Sequence, residues 1–460
     1  MDNKEQFQKE QDKLLQTILD LRFFNPWKGI TTHRDNYSLQ KDSKLELYLT
    51  ASCNLKCEYC YLQKHKHQLY PPEYDKPEII LENLEKICNW ITINNFEIPC
   101  LDIFSGDIWQ SQFGWDALEI IYKHVTQGMK VGYVLIASNC SFAHNKKAVQ
   151  IIQQYIDNFN AIGCPLVFSI SIDGKIIDEK SRPDFKYTDD YYEDIGAFAR
   201  HNNFLFHPMI SPHNVEHWKE NYEWWKQYLA YFDYNIAAIM TLEVRDADWT
   251  DKAIQDYCDL LVLWMDEFLE SKCHNNIETF AHAVTFTRQS DPNISLGGYI
   301  PWVLGPVDSF TGCTISNHLS IRVGDLAICP CHRTAYKEYL YGYLDIDNNC
   351  VHAVNPVIAA KILMGNILTS NPHCDQCIFN RFCLRGCLGS QIESVHDPFF
   401  QIPNICKFFR AKYFTIVKYY REHGIIDILK NYSLNEPAGP FVTQLLQLNE
   451  ECEKIGLGIN

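Results

Sequence analysis

The sequence predicts an α/β fold with a parallel sheet, followed by a cysteine-rich α+β region and C-terminal helices. Short apolar runs alternate with longer amphipathic segments from Lys44 to residue 249, as in repeated strand–helix units. After residue 249 this alternation stops, and cysteines cluster between 313 and 406. The chain has 460 residues, of which 46% are hydrophobic and 21% charged. This length and composition predict ample core and two or more folding units.

The elements are predicted in chain order, beginning with an N-terminal helical extension over residues 1–43. Residues 44–249 hold six predicted strands alternating with five predicted helices. The strands are Leu45–Leu49, Cys100–Phe104, Val131–Ala137, Leu166–Ile172, Leu205–Ile210 and Asn235–Leu242, and the helices are Pro77–Asn94, Trp115–Gln127, Asn145–Asn158, Asp189–Arg200 and His217–Tyr231. Since parallel sheets carry their sites at the carboxyl ends of the strands, we expect the functional residues in the loops that follow them.

Three further parts are predicted beyond the strand–helix region. Residues 250–312 form a bridging helical segment that begins with a long helix, residues 313–410 form the cysteine-rich domain, and residues 411–460 form a helical tail. Helices are predicted at 407–430 and 437–455 within these parts.

Charge and cysteine content narrow the function classes. The formal net charge of −16 makes nucleic acid an unfavourable partner. No apolar run approaches the roughly 18 residues that span a bilayer, so we expect no membrane association. Residues 1–20 lack the apolar core of a secretory signal, so a cytoplasmic location is expected. Because that compartment keeps thiols reduced, the 19 cysteines indicate metal or redox chemistry where they cluster.

The first cysteine group is Cys53, Cys57 and Cys60, directly after the first predicted strand. Three thiolates on one loop can hold three corners of an iron–sulfur cubane and leave the fourth iron open for an exogenous ligand. The alternative is a zinc knuckle completed by His65 or His67. Spacing alone favours the cluster without excluding zinc.

This CxxxCxxC spacing, with aromatic Tyr59 before the last cysteine, resembles the radical S-adenosylmethionine (SAM) superfamily. The resemblance implies a partial (β/α)6 TIM-like barrel with parallel strands. It also implies that Cys53, Cys57 and Cys60 hold a catalytic [4Fe–4S] cluster whose open iron chelates SAM. Reductive cleavage of SAM then yields a 5′-deoxyadenosyl radical, which abstracts a substrate hydrogen. Tyr59 matches the aromatic residue that lies beside the adenine.

Further landmarks of the resemblance follow the later strands. Gly106 and Asp107, in Ser-Gly-Asp-Ile, stand where the family usually has Gly-Gly-Glu-Pro, so Asp107 is expected to bind the SAM amino group although the first glycine and the proline are lost. Asn139 lies in a Ser-Asn-Cys that resembles Thr-Asn-Gly. Ser171 begins a Ser-Ile-Asp-Gly and is expected to hydrogen-bond SAM. Arg182 matches the arginine that pairs with the SAM carboxylate, a suitable partner for a planar guanidinium.

The second cysteine group resembles the SPASM extension of radical SAM enzymes that modify peptides and proteins. Its members are Cys313, Cys329, Cys374, Cys377, Cys383, Cys387 and Cys406, with Gly324 between the first two. The resemblance implies two auxiliary [4Fe–4S] clusters, hence three in all. One is held by Cys374, Cys377, Cys383 and Cys406, and the other by Cys313, Cys329 and Cys387. Cys331 is a candidate fourth ligand of the second of these. The alternative is that Cys331 is a bystander thiol and that an open iron captures a substrate group. A pair of zinc sites is the alternative for the whole domain. The other eight cysteines are expected to be small buried side chains.

The expected activity is that of a peptide maturase whose radical takes hydrogen from a ribosomally made precursor peptide. The expected product is a thioether or carbon–carbon cross-link or another oxidative modification of the peptide. Alternatives are formylglycine formation as in sulfatase maturases, epimerisation, and a small-molecule substrate. Formylglycine formation is disfavoured because Pro330 stands where those enzymes have an aspartate. The candidate bases are Asp308, Asp325 and His332, chosen for closeness to the cysteines.

The expected partners follow from the same resemblance. They are the precursor peptide and an electron donor such as flavodoxin or ferredoxin. Since residues 1–43 are too short for a winged-helix module, the leader is expected to bind a separate leader-binding protein, the barrel surface or the C-terminal helices. The acidic net charge favours a lysine- or arginine-rich leader.

Overall fold

The computed structural model describes residues 3–24, 44–182, 187–234, 236–285, 318–363, 374, 376–380, 382–383, 386–431 and 439–454. The chain divides into two compact units. The first consists of Met1–Ser171, Ser181–Phe204 and Ser309–Thr369, and the second of Ile172–Lys180, Leu205–Asp308 and Ser370–Asn460. The predicted domain boundaries stay a prediction.

The first unit is built on an eight-stranded sheet. Its strands are β1 Lys44–Thr50, β2 Glu97–Ser105, β3 Lys130–Ser138, β4 Leu166–Ile170, β7 His318–Arg322, β8 Ala327–Cys329, β9 Gly342–Asp345 and β10 Cys350–Ala353, and their order is β10-β9-β8-β7-β1-β2-β3-β4. Strands β1 to β4 pair in parallel with their sequence neighbours, and β1 also pairs in parallel with β7. Strands β7 to β10 form an antiparallel meander. The predicted α/β fold with a mostly parallel sheet is confirmed.

The faces of β1 differ in chemistry because successive side chains point to opposite sides of a sheet. Leu45, Leu47 and Leu49 are buried on one face. Glu46 and Tyr48 are buried on the other, where Glu46 stands in register with Asp102 on β2 and with Ser320 on β7. One face of this central strand therefore carries buried polar groups.

The helices are α1 Asn3–Leu19, α2 Tyr61–Leu69, α3 Pro77–Ile93, α4 Gln112–Thr126, α5 Lys146–Ala161, α6 Lys175–Ser181, α7 Asp189–Asn202, α8 Trp218–Tyr231, α9 Asp251–Ser271, α10 Ile277–Thr285, α11 Pro356–Leu363, α12 Leu388–Val395, α13 Pro403–Glu422, α14 Ile425–Lys430 and α15 Gly439–Lys454. Several begin where a polar side chain accepts a hydrogen bond from the first turn. Ser111 does so for α4, Asn145 for α5, Thr188 for α7 and Thr250 for α9. These N-caps explain why the predicted starts of these helices fall within a few residues of those observed.

Helix α1 lies against strand β10 at the edge of the sheet. The Gln8 side-chain amide donates to the Ala353 carbonyl at 3.0 Å, and Asp12 Oδ1 accepts from the Ala353 N–H at 2.7 Å. Two side chains of the helix thus satisfy backbone groups of an edge strand that has no strand neighbour on that side among the described residues.

The second unit contains a two-stranded parallel sheet of β5 Met209–Ile210 and β6 Leu242–Glu243. The predicted strand Leu205–Ile210 is reduced to its last two residues, and Phe206 forms only an isolated bridge with Ile239. The predicted strand Asn235–Leu242 is wrong except at Leu242, because Ile236–Ala238 forms a 3₁₀ helix. Pro208 accepts a hydrogen bond from Leu242 but has no N–H to donate, which limits the ladder on that side.

The helices of the second unit pack mainly around α13, which contacts α9 and α14. Helix α9 also carries Tyr257, whose hydroxyl donates to the buried Glu243 at 2.5 Å. Lys412 on α13 is fully buried and forms an ion pair with the same carboxylate. The predicted helix over 407–430 is divided in two, because Gly424 takes the left-handed conformation with φ of +71°.

None of the described helices is both long and apolar enough to cross a membrane. The described cysteines are all free thiols.

Candidate active site at the carboxyl ends of four parallel strands

The cysteine loop, residues 51–60, connects the carboxyl end of β1 to α2. Cys53, Cys57 and Cys60 are all half-buried. The Cys60 N–H donates to the Cys57 carbonyl at 3.0 Å, and Cys60 then stands at the N-cap position of α2. A tight turn therefore spaces the second and third thiols before the helix begins.

The Cys53 thiol lies in a polar but poorly solvated environment. The Leu55 N–H points to Cys53 Sγ at 3.4 Å, and the Asn139 amide lies 4.0 Å away. Burial raises the pKa of Cys53 to about 12, and the nearby Asp107 carboxylate and the other two thiols of the loop add to the rise. Three thiols close enough to influence one another, with no disulfide, fit a cationic iron–sulfur or metal centre, which would deprotonate them.

Gly106 allows the loop after β2 to touch the cysteine loop. A Cβ at this position would lie 2.0 Å from the Ser52 carbonyl oxygen and 2.8 Å from Cys53 Cβ. The Gly106 N–H donates to the Thr50 carbonyl at 3.1 Å, and the Asp107 N–H donates to the Ser52 carbonyl at 2.9 Å. Only glycine permits this approach. The structure thus gives Gly106 a positioning role at the cysteine loop.

Asp107 is buried beside the end of β3. Its Oδ2 accepts hydrogen bonds from the Ser138 hydroxyl at 2.8 Å and from the Asn139 N–H at 2.7 Å. Among the described residues its Oδ1 has no hydrogen-bond partner of good geometry, although the Trp109 N–H is near enough to favour the ionised form slightly. Burial raises the pKa of Asp107 to about 6. A buried carboxylate oxygen of this kind suits a cationic ligand group.

Asn139 connects the third strand to the cysteine loop. Its amide donates to Asn54 Oδ1 at 2.9 Å, and the Asn54 amide donates to the Ser141 hydroxyl at 2.6 Å. The next residue, Cys140, is in the left-handed conformation with φ of +52°. The family resemblance places a glycine at this position, and the positive φ gives the physical reason.

Arg182 joins two other predicted site residues. Its Nη2 donates to the Tyr59 hydroxyl at 2.9 Å and to the Ser171 carbonyl at 2.7 Å. The Glu58 N–H also donates to the Ser181 carbonyl at 2.9 Å. Arg182 is buried, so this contact holds its guanidinium next to the cysteine loop.

The first unit therefore brings together all nine residues predicted for the catalytic cluster and the SAM pocket. They follow the ends of four successive parallel strands: Cys53, Cys57, Tyr59 and Cys60 after β1, Gly106 and Asp107 after β2, Asn139 after β3, and Ser171 and Arg182 after β4.

Glu46 is a buried polar residue that the sequence analysis missed. Its carboxylate lies 2.6 Å from His332 Nδ1 and accepts hydrogen bonds from the His332 N–H at 2.8 Å and from the Ser320 hydroxyl at 2.6 Å. His318 Nε2 lies 3.3 Å away. The two histidines hold the pKa of Glu46 well below its usual range despite complete burial. The signal in the sequence that could have identified this residue is a single glutamate among the leucines of β1.

The three candidate bases differ in their surroundings. The ring of His332 stacks on Phe104 with centroids 3.5 Å apart, so it is fixed by both packing and Glu46. Asp325 instead forms a two-pronged ion pair with buried Arg322, with N···O distances of 2.9 and 2.7 Å. That pairing occupies both of its oxygens in a structural contact. Asp308 lies outside the described residues.

In the first unit, Cys329 is fully buried at the end of β8, and Cys331 is half-buried beside Thr334. Gly324 has no room for a side chain, because a Cβ would lie 2.4 Å from the Tyr74 carbonyl oxygen and 2.7 Å from the Tyr70 hydroxyl. The glycine of the cysteine spacing is thus explained by close packing. Cys313 lies outside the described residues.

The remaining predicted auxiliary ligands lie in the second unit and are half-buried. The Cys377 N–H donates to the Cys374 carbonyl at 3.0 Å. Burial raises the pKa of Cys406, and the nearby thiols of Cys374 and Cys377 raise it further, so these three lie close together. Cys383 and Cys387 stay predicted ligands.

No family model and no curated protein matches the sequence. Among solved structures, native anSMEcpe with bound AdoMet and Cp18Cys peptide matches with a TM-score of 0.53 and 13% identity, over 84% of this chain and 99% of that chain. Native anSMEcpe with bound AdoMet matches with a TM-score of 0.52 and 13% identity, over 85% and 100%. Streptococcus suis SuiB bound to precursor peptide SuiA gives a TM-score of 0.43 at 14% identity, over 87% and 88%, which is too low to support an argument.

The matches to anSMEcpe, an anaerobic sulfatase-maturating enzyme of the radical SAM/SPASM type, establish the fold of this chain. The architecture implied by the sequence resemblance is therefore confirmed at the level of fold.

Proposed function

We propose that this protein is a radical SAM peptide maturase, which takes hydrogen from a ribosomally made precursor peptide. The observation that carries the proposal is the convergence of nine predicted site residues at the ends of four adjacent parallel strands. A zinc knuckle would explain the three thiols of the cysteine loop, but not Asp107, Asn139 and Arg182 around them.

In this proposal Cys53, Cys57 and Cys60 hold a [4Fe–4S] cluster with one open iron. Such a cluster, when bound and reduced, supplies the electron that splits SAM into methionine and a 5′-deoxyadenosyl radical. The protein positions the thiols through the glycine contact at Gly106 and through the Asn54–Asn139 hydrogen bond.

The same residues supply groups for each end of SAM. Asp107 offers a buried carboxylate oxygen to the ammonium, and Arg182 offers a guanidinium to the carboxylate. Tyr59 offers its ring to the adenine, and Ser171 its hydroxyl to the ligand. Asn139 holds the loop and orients Asp107 by donating its backbone N–H.

A peptide substrate is supported by the shared fold with anSMEcpe, whose solved structure has AdoMet and the Cp18Cys peptide bound. A cross-link is the product we favour, since removal of two hydrogens from the peptide needs one radical step and a sink for a second electron. The proposed sinks are two auxiliary [4Fe–4S] clusters, one at Cys374, Cys377, Cys383 and Cys406, and one at Cys313, Cys329 and Cys387 with Cys331 as a candidate ligand. Formylglycine formation, epimerisation and a small-molecule substrate are the alternatives.

We assign the proton-accepting role to His332 rather than to Asp325. His332 Nδ1 lies 2.6 Å from the Glu46 carboxylate, so Nε2 is the ring nitrogen left to exchange a proton with the substrate. This pairing orients the imidazole as the carboxylate of a catalytic triad orients its histidine. Pro330, two residues earlier, has no acid–base group.

The remaining partners are an electron donor such as flavodoxin or ferredoxin and a leader-binding protein. Oxygen-sensitive clusters and reduced thiols suit the cytoplasm. The net charge of −16 favours a basic leader.

The test of the catalytic assignment uses anaerobically purified, iron-reconstituted protein. We expect a brown protein with roughly 12 iron atoms per chain, which produces 5′-deoxyadenosine from SAM and reductant. Replacing Cys53, Cys57 and Cys60 by alanine should abolish 5′-deoxyadenosine and remove about four iron atoms. The control carries Cys88→Ala and Cys164→Ala, two buried cysteines away from the cysteine loop. Product formation by the triple variant, or a colourless zinc protein, contradicts the proposal.

The reaction is identified by co-expression with short peptides encoded beside the gene, followed by mass spectrometry. Loss of two hydrogens without an aldehyde that a hydrazide reagent can trap indicates a cross-link. A trapped aldehyde, formed with loss of two hydrogens from Ser or with replacement of the thiol by a carbonyl oxygen from Cys, indicates formylglycine. Unchanged mass with altered chirality indicates epimerisation. Absence of modification on every neighbouring peptide, with active SAM cleavage, favours a small-molecule substrate.

A further inference from the structure

The hairpin of β9 and β10 carries a second group of metal-ligating side chains, away from the cysteine loop. Asp345 and Cys350 are directly opposed across the hairpin, and His352 lies two residues along the same strand as Cys350. Residues opposed across a ladder, and residues two apart on one strand, project from the same face. The register therefore places a carboxylate, a thiol and an imidazole together on one surface.

The ligand atoms of Asp345, Cys350 and His352 all lie within 4.8 Å of one another. Around one zinc ion with ordinary bond lengths, two ligand atoms are roughly 3.3–3.8 Å apart. His352 Nε2 is already 3.2 Å from Asp345 Oδ2. Asn348 holds the Asp345 carboxylate through its backbone N–H at 3.0 Å and its side-chain amide at 2.8 Å. A small rotamer change of the exposed His352 would then close the set around a cation.

Helix α1 supplies a fourth group to this cluster. Asp12 Oδ2 lies 3.5 Å from His352 Nδ1, while its Oδ1 is fixed by the Ala353 N–H. The imidazole thus faces one carboxylate with each nitrogen. Metal-bound histidines commonly have a carboxylate on the nitrogen that does not bind metal, which fixes the tautomer and the ring orientation.

The charge of the cluster also favours a cation. The carboxylates of Asp345 and Asp12 each lie beside a nitrogen of His352, so the cluster carries two acidic groups. A divalent ion would neutralise the carboxylates and take the thiolate by releasing its proton. A mixed thiolate, imidazole and carboxylate set is typical of zinc and related transition metals, and atypical of magnesium or calcium.

We infer that Asp345, Cys350 and His352 form a zinc-class metal site with three protein ligands and water in the fourth position, with Asp12 as the carboxylate that orients His352. Through the contact of Asp12 with His352, the site holds helix α1 against strand β10 at the edge of the sheet. This inference does not depend on the proposed reaction, and the ligand of the site is a divalent metal ion alone.

The test measures zinc in the full-length protein, purified anaerobically and dialysed with limiting Zn²⁺. Cluster cysteines can also take zinc, so the decisive quantity is the difference between the wild-type protein and variants. Cys350→Ser and His352→Ala should each lose about one zinc per chain. Asp12→Asn keeps the Oδ1 contact with Ala353 but removes the second carboxylate oxygen, so its zinc affinity should fall roughly 10–100-fold.

The matched control is His213→Ala, which removes an exposed histidine lying 3.6 Å from Asp248, and which should leave the zinc content unchanged. A second measurement needs no variant: added zinc should slow hydrogen exchange in α1 and in residues 342–353. Equal zinc in the wild-type protein and in the Cys350→Ser variant overturns the inference, as does zinc-independent exchange. SAM cleavage should be unaffected by these variants, so failure here is distinguishable from failure of the proposed function.

Discussion

Arg182 Nη2 donates a hydrogen bond to the Tyr59 hydroxyl at 2.9 Å, which connects the segment after β4 to the cysteine loop after β1. The same nitrogen donates to the Ser171 carbonyl at 2.7 Å. One guanidinium thereby determines the spacing of three residues that the sequence predicted for SAM binding.

Arg182→Lys is expected to weaken SAM binding by about tenfold or more, because lysine lacks the planar fork that can hold Tyr59 and a ligand carboxylate together. Tyr59→Phe removes only the hydroxyl and should cause a smaller loss. The measurement is equilibrium binding of SAM to anaerobic, reconstituted protein. Unchanged affinity in the lysine variant would remove Arg182 from the proposed pocket.

Gly106→Ala is expected to displace the cysteine loop, because the new Cβ meets the Ser52 carbonyl oxygen at 2.0 Å. Iron content should fall by about four atoms per chain, with the auxiliary iron retained. The matched control is Gly132→Ala, whose Cβ would meet the Pro99 carbonyl oxygen at 2.5 Å at the far end of β2 and β3. If both variants lose the same iron, general destabilisation explains the effect and the specific role of Gly106 is wrong.

The affinity for SAM is expected to decrease as pH falls below about 6, where Asp107 becomes protonated. At a pH above its pKa the Asp107 carboxyl is anionic and attracts the SAM ammonium. At a pH below its pKa the carboxyl is neutral and this attraction is lost. Binding is measured between about pH 5.5 and pH 8. Asp107→Asn should bind more weakly at neutral pH and show a flatter profile. A variant with the wild-type profile assigns the pH dependence to another group.

His332→Ala and Glu46→Gln are expected to separate SAM cleavage from peptide modification. If His332 takes the proton, 5′-deoxyadenosine should still form while modified peptide decreases by about 10²-fold or more. Partial rescue of His332→Ala by added imidazole would support a proton-transfer role. His65→Ala, on α2, is the control and should leave the ratio of the two products unchanged. Equal loss of both products in His332→Ala would indicate a structural role instead.

Lys412→Met is expected to destabilise the second unit by about 3–5 kcal/mol, because it leaves the buried Glu243 carboxylate without its cation. Lys418→Met, which removes an exposed ion pair with Glu422 on the same helix, should change stability by less than about 1 kcal/mol. Denaturant unfolding monitored on both variants checks the difference. Similar midpoints for the two variants would contradict the importance of the buried pair.

The sequence was sufficient to locate the loops of the candidate site, because each begins where a regular apolar strand ends. The roles within those loops needed coordinates. The need for glycine at position 106 comes from a contact with Ser52, more than fifty residues earlier in the chain. Cys140 has a left-handed backbone conformation that a cysteine in the sequence does not predict. These features depend on distances between loops, which periodicity does not encode.

Other features failed prediction for different physical reasons. The parallel pairing of β1 with β7 joins distant segments, and nothing local specifies it. The predictions at β5 and β6 are largely wrong because hydrophobicity alone does not show that Pro208 interrupts the ladder or that Ile236–Ala238 forms a 3₁₀ helix. Glu46 was overlooked because a single acidic residue in a strand is usually solvent-exposed, whereas here two histidines and a serine compensate its burial.

The position of β1 between β2 and β7 also bears on the order of assembly during synthesis. Glu46 and Ser320 meet across this pairing although they are 274 residues apart along the chain. A nascent chain that has emerged only as far as β4 has one flank of β1 unpaired, and such long-range pairing is slow to form. If Cys53, Cys57 and Cys60 hold the proposed cluster, its stable loading with iron and sulfide is expected late in biogenesis, after the ribosome has released residues beyond Arg322.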